Sequence, residues 1–485
     1  MLTRLKVQGF KNLVDVDVAF SPFTCVAGVN GVGKSNLFDA ILFLSALADK
    51  SLLEAVTGVR QETSSANAGR IFTRNEAGRV SEMALEAEMI VPRTALDDLD
   101  QPAEATITTL RYAIRLRLHA NGDHQLPRIE LLSEELGYIG LGEARKRLSF
   151  APRKSPWFES VARGQRRSPF ISTEEVPGGR FVKVHEDSGH QGRSRKLKAE
   201  NLQRTVLSTI NTAESPTALV ARREMQSWRL LQLDPSRLRA PDDLTATSRL
   251  GEDGRGLPAT LHRLLAGDAK EAAAVRAELT NRLGELVEGV GNVRVELDEK
   301  RELLTLIVAD RNGAEFTARD LSDGTLRFLA LSALQIDPSW RGVICMEEPE
   351  NGMHPARIPA MLQLLRDIAM DVDSPADDSN PLRQVLVNTH SPELVQLAPE
   401  DTVLFAFTTL VERREGRFRG VVFRPLDATW RARAGDRLAV QKGKVLEYLR
   451  ATQAALAQLQ DTGGTDGAKP VGMRPEFRQL ILPGM

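Results

Sequence analysis

Eight residues set the first chemical constraint on this chain: Gly28-Val-Asn30-Gly31-Val-Gly33-Lys34-Ser35. They satisfy G-x-x-x-x-G-K-[ST] at every fixed position. Glycines let backbone N–H groups turn inward around phosphate oxygens, where a Cβ would block the approach. An amphipathic run begins at once with Asn36-Leu-Phe-Asp, so a helix N-terminus adds its unpaired N–H groups and dipole to the anion site. Lys34 is placed to reach β- and γ-phosphates, and the Ser35 hydroxyl to ligate Mg²⁺. A nucleoside triphosphate is the ligand this spacing predicts.

Three further groups lie far along the sequence. Leu321-Ser322-Asp323-Gly324-Thr325 precedes an apolar helical run, so Ser322 is a helix cap and its neighbourhood a second anion site. Gly342-Val-Ile-Cys-Met-Glu347-Glu348 delivers two carboxylates at the end of an apolar strand, where α/β folds place chemistry. Glu347 would act on a metal and Glu348 on an attacking water. Gln384-Val-Leu-Val-Asn-Thr-His390 is another apolar strand, and its terminal imidazole would reach the γ-phosphate or the water. Taken singly, each has a plain structural reading: a cap, a charged loop, a structural histidine. Their order together points to one nucleotide site.

The elements around them are legible from periodicity. Residues 13–27 read as a hairpin arm and a buried strand, and 303–308 as a strand before the turn Asn312-Gly313. Residues 83–91, 105–118 and 128–132 alternate as strands of an antiparallel sheet, with Asn121-Gly122 as a turn. Residues 218–233, 257–265 and 269–290 read as helices. After His390 the chain offers short strands near 402–407 and 420–423, a helix near 445–459 and a loose tail over 461–475.

This order resembles the ABC-type ATPase head, in the soluble branch containing RecF, SMC and the OLD-family nucleases. Glu347-Glu-Pro-Glu-Asn-Gly-Met-His-Pro355 and Leu321-Ser-Asp-Gly-Thr-Leu-Arg-Phe resemble in particular the stand-alone ATPases of bacterial anti-phage systems, of which the Septu ATPase is one type. Gly9-Phe10-Lys11-Asn12 resembles the same branch, where this segment lies beside the nucleotide. The matching motifs cover residues 1–45 and about 300–400.

The resemblance implies an α/β fold: a P-loop parallel sheet with a flanking antiparallel sheet, interrupted by a mixed basic and helical insertion. Residues 1–140 and 291–430 would form the two parts of the head, 141–290 a basic segment and helical lid, and 431–485 a helix and tail. Gly28, Asn30, Gly31, Gly33, Lys34, Ser35 and Asn36, with Lys11 and Asn12, would hold ATP. Ser35 and Glu347 would hold Mg²⁺, Glu348 would be the catalytic base, and His390 the switch histidine, with Lys34 on the phosphates. Ser322, Asp323 and Gly324 would bind the γ-phosphate held by a second copy, which implies a homodimer or higher oligomer. Asn351 and Gly352 fall where the D-loop starts. Position 347 departs from the Asp common in the family. Gln61 is a Q-loop candidate by position only.

Composition narrows the rest. Lys+Arg number 64 and Asp+Glu 65, so bulk charge does not coat nucleic acid. Residues 145–200 nevertheless carry fourteen Lys/Arg against six Asp/Glu. They read either as a solvated insertion or as a phosphate-backbone surface for DNA or RNA. Cys25 and Cys345 lie in apolar runs, which excludes a disulfide framework and fits a cytoplasmic protein. No apolar run suits a membrane span. The expected function is an ATP-hydrolysing dimer controlling an effector such as a nuclease in anti-phage defence. The alternatives are a RecF-like repair ATPase binding DNA directly and an ATP-gated scaffold with little turnover.

Overall fold

The computed structural model describes residues 1–59, 69–75, 78–119, 128–152, 154–187, 195–413, 416–434 and 438–461. Gln61, Arg153, Arg193, the turn at Asn121-Gly122 and the tail from 462 onward lie outside them. No helix among the described residues is long and apolar enough to cross a membrane.

In chain order, β1 (Leu2–Phe10) and β2 (Leu13–Ala19) form a hairpin, and β3 (Phe23–Ala27) leads to α1 (Lys34–Leu47). β4 (Glu82–Ile90), β5 (Thr109–His119) and β6 (Arg128–Tyr138) follow, then β7 (Ile171–Val176), β8 (Gly179–Val184) and β9 (Arg195–Lys198). Next come α2 (Pro216–Gln226), β10 (Arg229–Leu231), α3 (Leu257–Leu264), α4 (Ala269–Leu286), β11 (Val290–Asp298), β12 (Leu303–Asp310) and β13 (Glu315–Thr317). The last part holds α5 (Asp323–Ile336), β14 (Gly342–Glu347), α6 (Ile358–Ile368), β15 (Arg383–Thr389), β16 (Val403–Arg413), β17 (Gly416–Pro425) and α7 (Lys442–Asp461).

Two sheets carry the fold. The antiparallel one runs β9-β8-β7-β6-β5-β4-β1-β2, and the mixed one β10-β14-β15-β3-β16-β17. In the second, β10, β14, β15, β3 and β16 pair in parallel, and β17 returns antiparallel to β16. Central β3 is buried at all five positions, as expected for a parallel strand covered on both faces. Alternate residues enter opposite cores. Val26, Val343, Cys345 and Leu386 pack with α1 and the antiparallel sheet. Cys25, Ala27, Ile344, Met346, Val385 and Val387 pack with α3, α4, α5 and α6. Burial pushes both cysteine thiols well above their ordinary value.

Parts of the segment 141–290 join the two sheets. β7, β8 and β9 extend the antiparallel sheet, and β10 forms the edge of the parallel sheet beside β14. The helix expected over 218–233 therefore ends at Gln226, and Arg229–Leu231 pairs with Ile344–Met346. Trp228 and Leu231 are buried, so sheet pairing overrides helix propensity over these few residues. The basic excess is also spent locally. Arg147 pairs with Glu88 and Glu143, Arg180 with Glu130, and both Lys183 and Lys196 with Glu174. Arg166 donates to the carbonyls of Ser168, Glu186 and Asp187.

Two buried polar anchors tie the layers. Arg383, at the start of β15, donates to the carbonyls of Gln335, Asp337 and Trp340 at the C-terminal end of α5, where a cation also suits the helix dipole. Glu134 on β6 is fully buried and accepts from Val206 N at 2.6 Å, Leu207 N at 2.8 Å and Tyr112 Oη at 3.2 Å. Burial raises its carboxyl from 4.5 to about 7, against those hydrogen bonds. The folded state therefore keeps the proton where the unfolded chain has lost it. The group's stabilising contribution is full below about pH 4.5 and is lost as pH rises through 7. Relative to Glu134→Gln, the wild type should lose up to about 3 kcal/mol of unfolding free energy between pH 5 and 8. Parallel urea-unfolding curves for the two proteins would refute this assignment.

Candidate functional site

The parallel pairing brings three strand ends side by side. β3 ends at Ala27 against Thr389, and Glu347 pairs with Asn388. The Gly-rich loop, the carboxylate turn and the histidine turn thus emerge at one sheet edge. They meet at a cavity of about 690 Å³ whose lining includes Lys11, Asn30, Gly31, Gly33, Lys34, Ser35, Asn36, Gln232, Arg327, Glu347, Glu348, Asn351 and Asn388.

The loop is held in the shape its glycines permit. Gly31 and Gly33 have φ of +78° and +111°. A Cβ on Gly28 would lie 2.6 Å from the Ala406 carbonyl oxygen, and one on Gly33 would lie 2.6 Å from Asn12 Oδ1. Asn12 cannot swing aside freely: its Nδ2 donates to Val32 O at 2.9 Å, and its Oδ1 accepts from Asn36 Nδ2 at 2.8 Å. Lys11, itself at φ +48°, pairs with Asp39 of α1 at 2.8 Å. The 9–12 segment thus braces the loop from behind. Lys34 is 5% exposed and donates to the carbonyls of Gly28 at 2.6 Å and Val29 at 3.0 Å. Burial lowers its pKa, opposed by the charges of Glu348, Glu350 and Glu347.

Opposite the loop, Glu348 sits at φ +48°, a left-handed backbone that costs a non-glycine residue about 1 kcal/mol or more. Its N–H donates to Asn388 O at 2.9 Å, and its Oε1 meets His390 Nδ1 at 2.7 Å. Asn388 Nδ2 lies 3.4 Å from Glu347 Oε1. Next to them, Glu350 is buried and accepts from Thr389 Oγ1 through one carboxyl oxygen. Burial raises its pKa.

Ser322 and Asp323 are exposed at the N-terminus of α5 and are absent from the cavity lining. Ser322 Oγ caps the helix, accepting from Thr325 N at 3.3 Å, and Arg239 pairs with Asp323 at 2.5 Å. Gly324 is buried, where a Cβ would meet Met353 Cγ at 3.4 Å. Arg327, one turn on, donates to Asn351 O at 2.6 Å. The structure therefore gathers Lys11, Asn30, Gly31, Gly33, Lys34, Ser35, Asn36 and both carboxylates at one cavity, whereas Asn12, Gly28, His390 and Ser322 to Gly324 do not line it.

Gln232, Arg327 and Asn388 line the cavity without having been among the expected site residues. Gln232 follows the edge strand β10 and lines the cavity; Gln61, a candidate by position only, lies outside the described residues. The available signal was Leu230-Leu-Gln-Leu-Asp-Pro235, where a short apolar run breaks at Asp-Pro; reading 218–233 as one helix hid it.

The donor set suits a magnesium nucleotide. Magnesium is usually bound through one or two protein oxygens plus substrate phosphates and waters. Ser35 and Glu347 fit that need, and the described residues contain no cluster of three or more His, Cys, Asp or Glu arranged for a metal.

Comparison with known proteins agrees with this geometry. Residues 169–396 match the family described as "AAA domain, putative AbiEii toxin, Type IV TA system". The chain is 31% identical over 116 residues to the chromosome partition protein Smc of Thauera aminoaromatica, covering 22% of this chain and 9% of that protein. It is 46% identical over 46 residues to the DNA replication and repair protein RecF of Bacteroides thetaiotaomicron, covering 9% of this chain and 12% of that protein. The chain thus matches only a small part of these curated relatives' length. Among solved structures, an Smc head bound to the C-terminal winged-helix domain of ScpA aligns over 88% of this chain and 98% of its own, with TM-score 0.44 and 15% identity. The SMC head domain from Thermotoga maritima aligns over 88% and 99%, with TM-score 0.37 and 11% identity.

The loop geometry yields a direct test. Gly33→Ala should weaken binding of a fluorescent ATP analogue by about tenfold or more, because strain and the Asn12 contact both oppose it. Gly31→Ala, with nothing within 4 Å of its Cβ position, should weaken binding less. Equal affinities across wild type and both variants would show that this loop does not grip the nucleotide. With the Gly-rich loop on a central parallel strand, paired carboxylates two strands away, and matching family, RecF and Smc segments, the chain is similar over part of its length to ABC-type P-loop ATPases of the RecF/SMC-like branch.

Proposed function

We propose that two copies of this chain close head to head around ATP and magnesium, hydrolyse the ATP, and through that cycle control a separate effector, a nuclease, in defence against phage. The observation that carries the hydrolytic reading is the 2.7 Å contact between Glu348 and His390 at the cavity that holds Lys34. In this reading Glu348 accepts the proton of the attacking water, and the imidazole fixes the carboxylate's direction. Lys34 exchanges the Gly28 and Val29 carbonyls for the β- and γ-phosphates, losing two neutral acceptors and gaining charged ones. Ser35 and Glu347 hold magnesium, which when bound neutralises charge on the phosphates. Backbone N–H groups of residues 30–36 cradle the phosphates, braced by Lys11 and Asn12.

Dimerisation is supported by where the remaining groups lie. Ser322 and Asp323 stand exposed on the helix N-terminus and do not line their own head's cavity. Ser322, which caps the helix, and Asp323, which pairs with Arg239, would meet the γ-phosphate held by a partner, together with the Gly324 backbone. Nucleotide then favours the closed pair only through this differential contact.

An effector role is favoured over direct DNA repair by two observations. The matched family's description names a putative toxin of a type IV toxin–antitoxin system. Among the described basic residues of 145–200, Arg147, Arg166, Arg180, Lys183 and Lys196 are engaged with Glu88, Glu130, Glu143 and Glu174 or with backbone carbonyls. That leaves fewer cations for a phosphate backbone than the sequence count implies. Resemblance to the Septu ATPase adds the nuclease and the anti-phage setting.

Glu348→Gln should cut ATP turnover by about 100-fold or more and accumulate an ATP-bound dimer in size-exclusion chromatography with light scattering. Wild type should pass through the same dimer transiently. Absence of nucleotide-dependent association would sink the head-to-head reading. Association with no turnover in either protein would replace it with a scaffold. Steeply salt-dependent DNA binding by the chain alone would favour the repair reading.

A further inference from the structure

Glu350 is 8% exposed, and its Oε2 is buried without a hydrogen-bond partner. A buried carboxyl with one oxygen unpaired is destabilising. Its other oxygen accounts for it. Oε1 accepts from Thr389 Oγ1, which in turn accepts from Ser391 N at 2.9 Å. The carbonyl of Thr389 accepts from Gly28 N at 3.1 Å. On its own turn, the Glu350 carbonyl accepts from Met353 N at 3.0 Å, and Glu348 O from Asn351 N at 2.9 Å. One hydroxyl–carboxyl contact therefore joins the carboxylate turn to the histidine turn, and the same threonine anchors the start of the phosphate loop.

We infer that Glu350 is a positioning residue: through Thr389 it holds the turns bearing Glu348 and His390 in the register that lets those two side chains meet. This rests on the hydrolytic reading above and deepens it. Glu348 needs such a clasp, because its backbone is held at φ +48° and relaxes unless its surroundings over-determine it. The Glu348 N–H to Asn388 O bond fixes one side of the turn, and the Glu350–Thr389 bond fixes the other. Glu350 does not line the cavity, so it acts on the reacting groups only through this contact.

The test uses the full chain and four substitutions. Glu350→Ala and Thr389→Val delete the contact. Glu350→Gln keeps the accepting oxygen, and Thr389→Ser keeps the hydroxyl. The expected result is a roughly tenfold fall in kcat for each deletion, with KM for ATP within about twofold, and activity within about threefold of wild type for Gln and Ser. The double variant Glu350→Ala/Thr389→Val should be no slower than either single, since both remove one bond. A second readout needs no turnover: the side-chain nitrogen NMR signals of His390 should move in both deletions and stay in place in Gln and Ser. Wild type inert toward ATP would overturn hydrolysis while the imidazole signals still judge the clasp. Additive losses, Gln as damaging as Ala, or unmoved His390 signals in the deletions would overturn the clasp itself.

Discussion

The parallel pairing of three strand ends governs the rest of the molecule. Phe23–Ala27, Arg383–Thr389 and Gly342–Glu347 lie side by side in register, and each stops where its chain must turn. Parallel strands cannot be joined by tight hairpins, so each turn leads into a crossover and helix. One turn carries glycines, one carboxylates and one a histidine. The apolar interiors of these strands make the edge rigid, because their alternate residues are committed to two different cores. A one-residue slip would exchange the faces and turn every functional group away.

Much of this was legible in the residues themselves. The Gly28–Ser35 spacing, the apolar runs into Glu347 and Thr389, and the Ser322 cap each rest on local chemistry, and local chemistry is what a sequence exposes. Three things were not legible. Arg229–Leu231 is too short for periodicity to separate it from the preceding helix; only its place beside Ile344–Met346 makes it a strand. Gln232 was hidden with it. The charge count over 145–200 left open a solvated insertion or a phosphate-backbone surface, and it could not show that Arg180 meets Glu130 and Arg147 meets Glu88, from elements distant in sequence. Composition sums charges without knowing their partners.

The site also shows where local preference yields to assembly. Lys11 and Glu348 both occupy left-handed backbone without being glycine. Each is held by contacts from elsewhere: Lys11 by Asp39 of the loop's own helix, Glu348 by Asn388 and His390 of the neighbouring strand. Such positions are costly in isolation and persist because several independent bonds agree on them.

Arg383 begins one uninterrupted strand, and His390 directly follows its other end. The guanidinium grips the trailing end of the helix that begins at Ser322, while the imidazole addresses this head's own carboxylate. No loop intervenes between the two grips along that path, so it works as a tie-rod rather than a tether. The helix end and the imidazole are thus joined through a single strand.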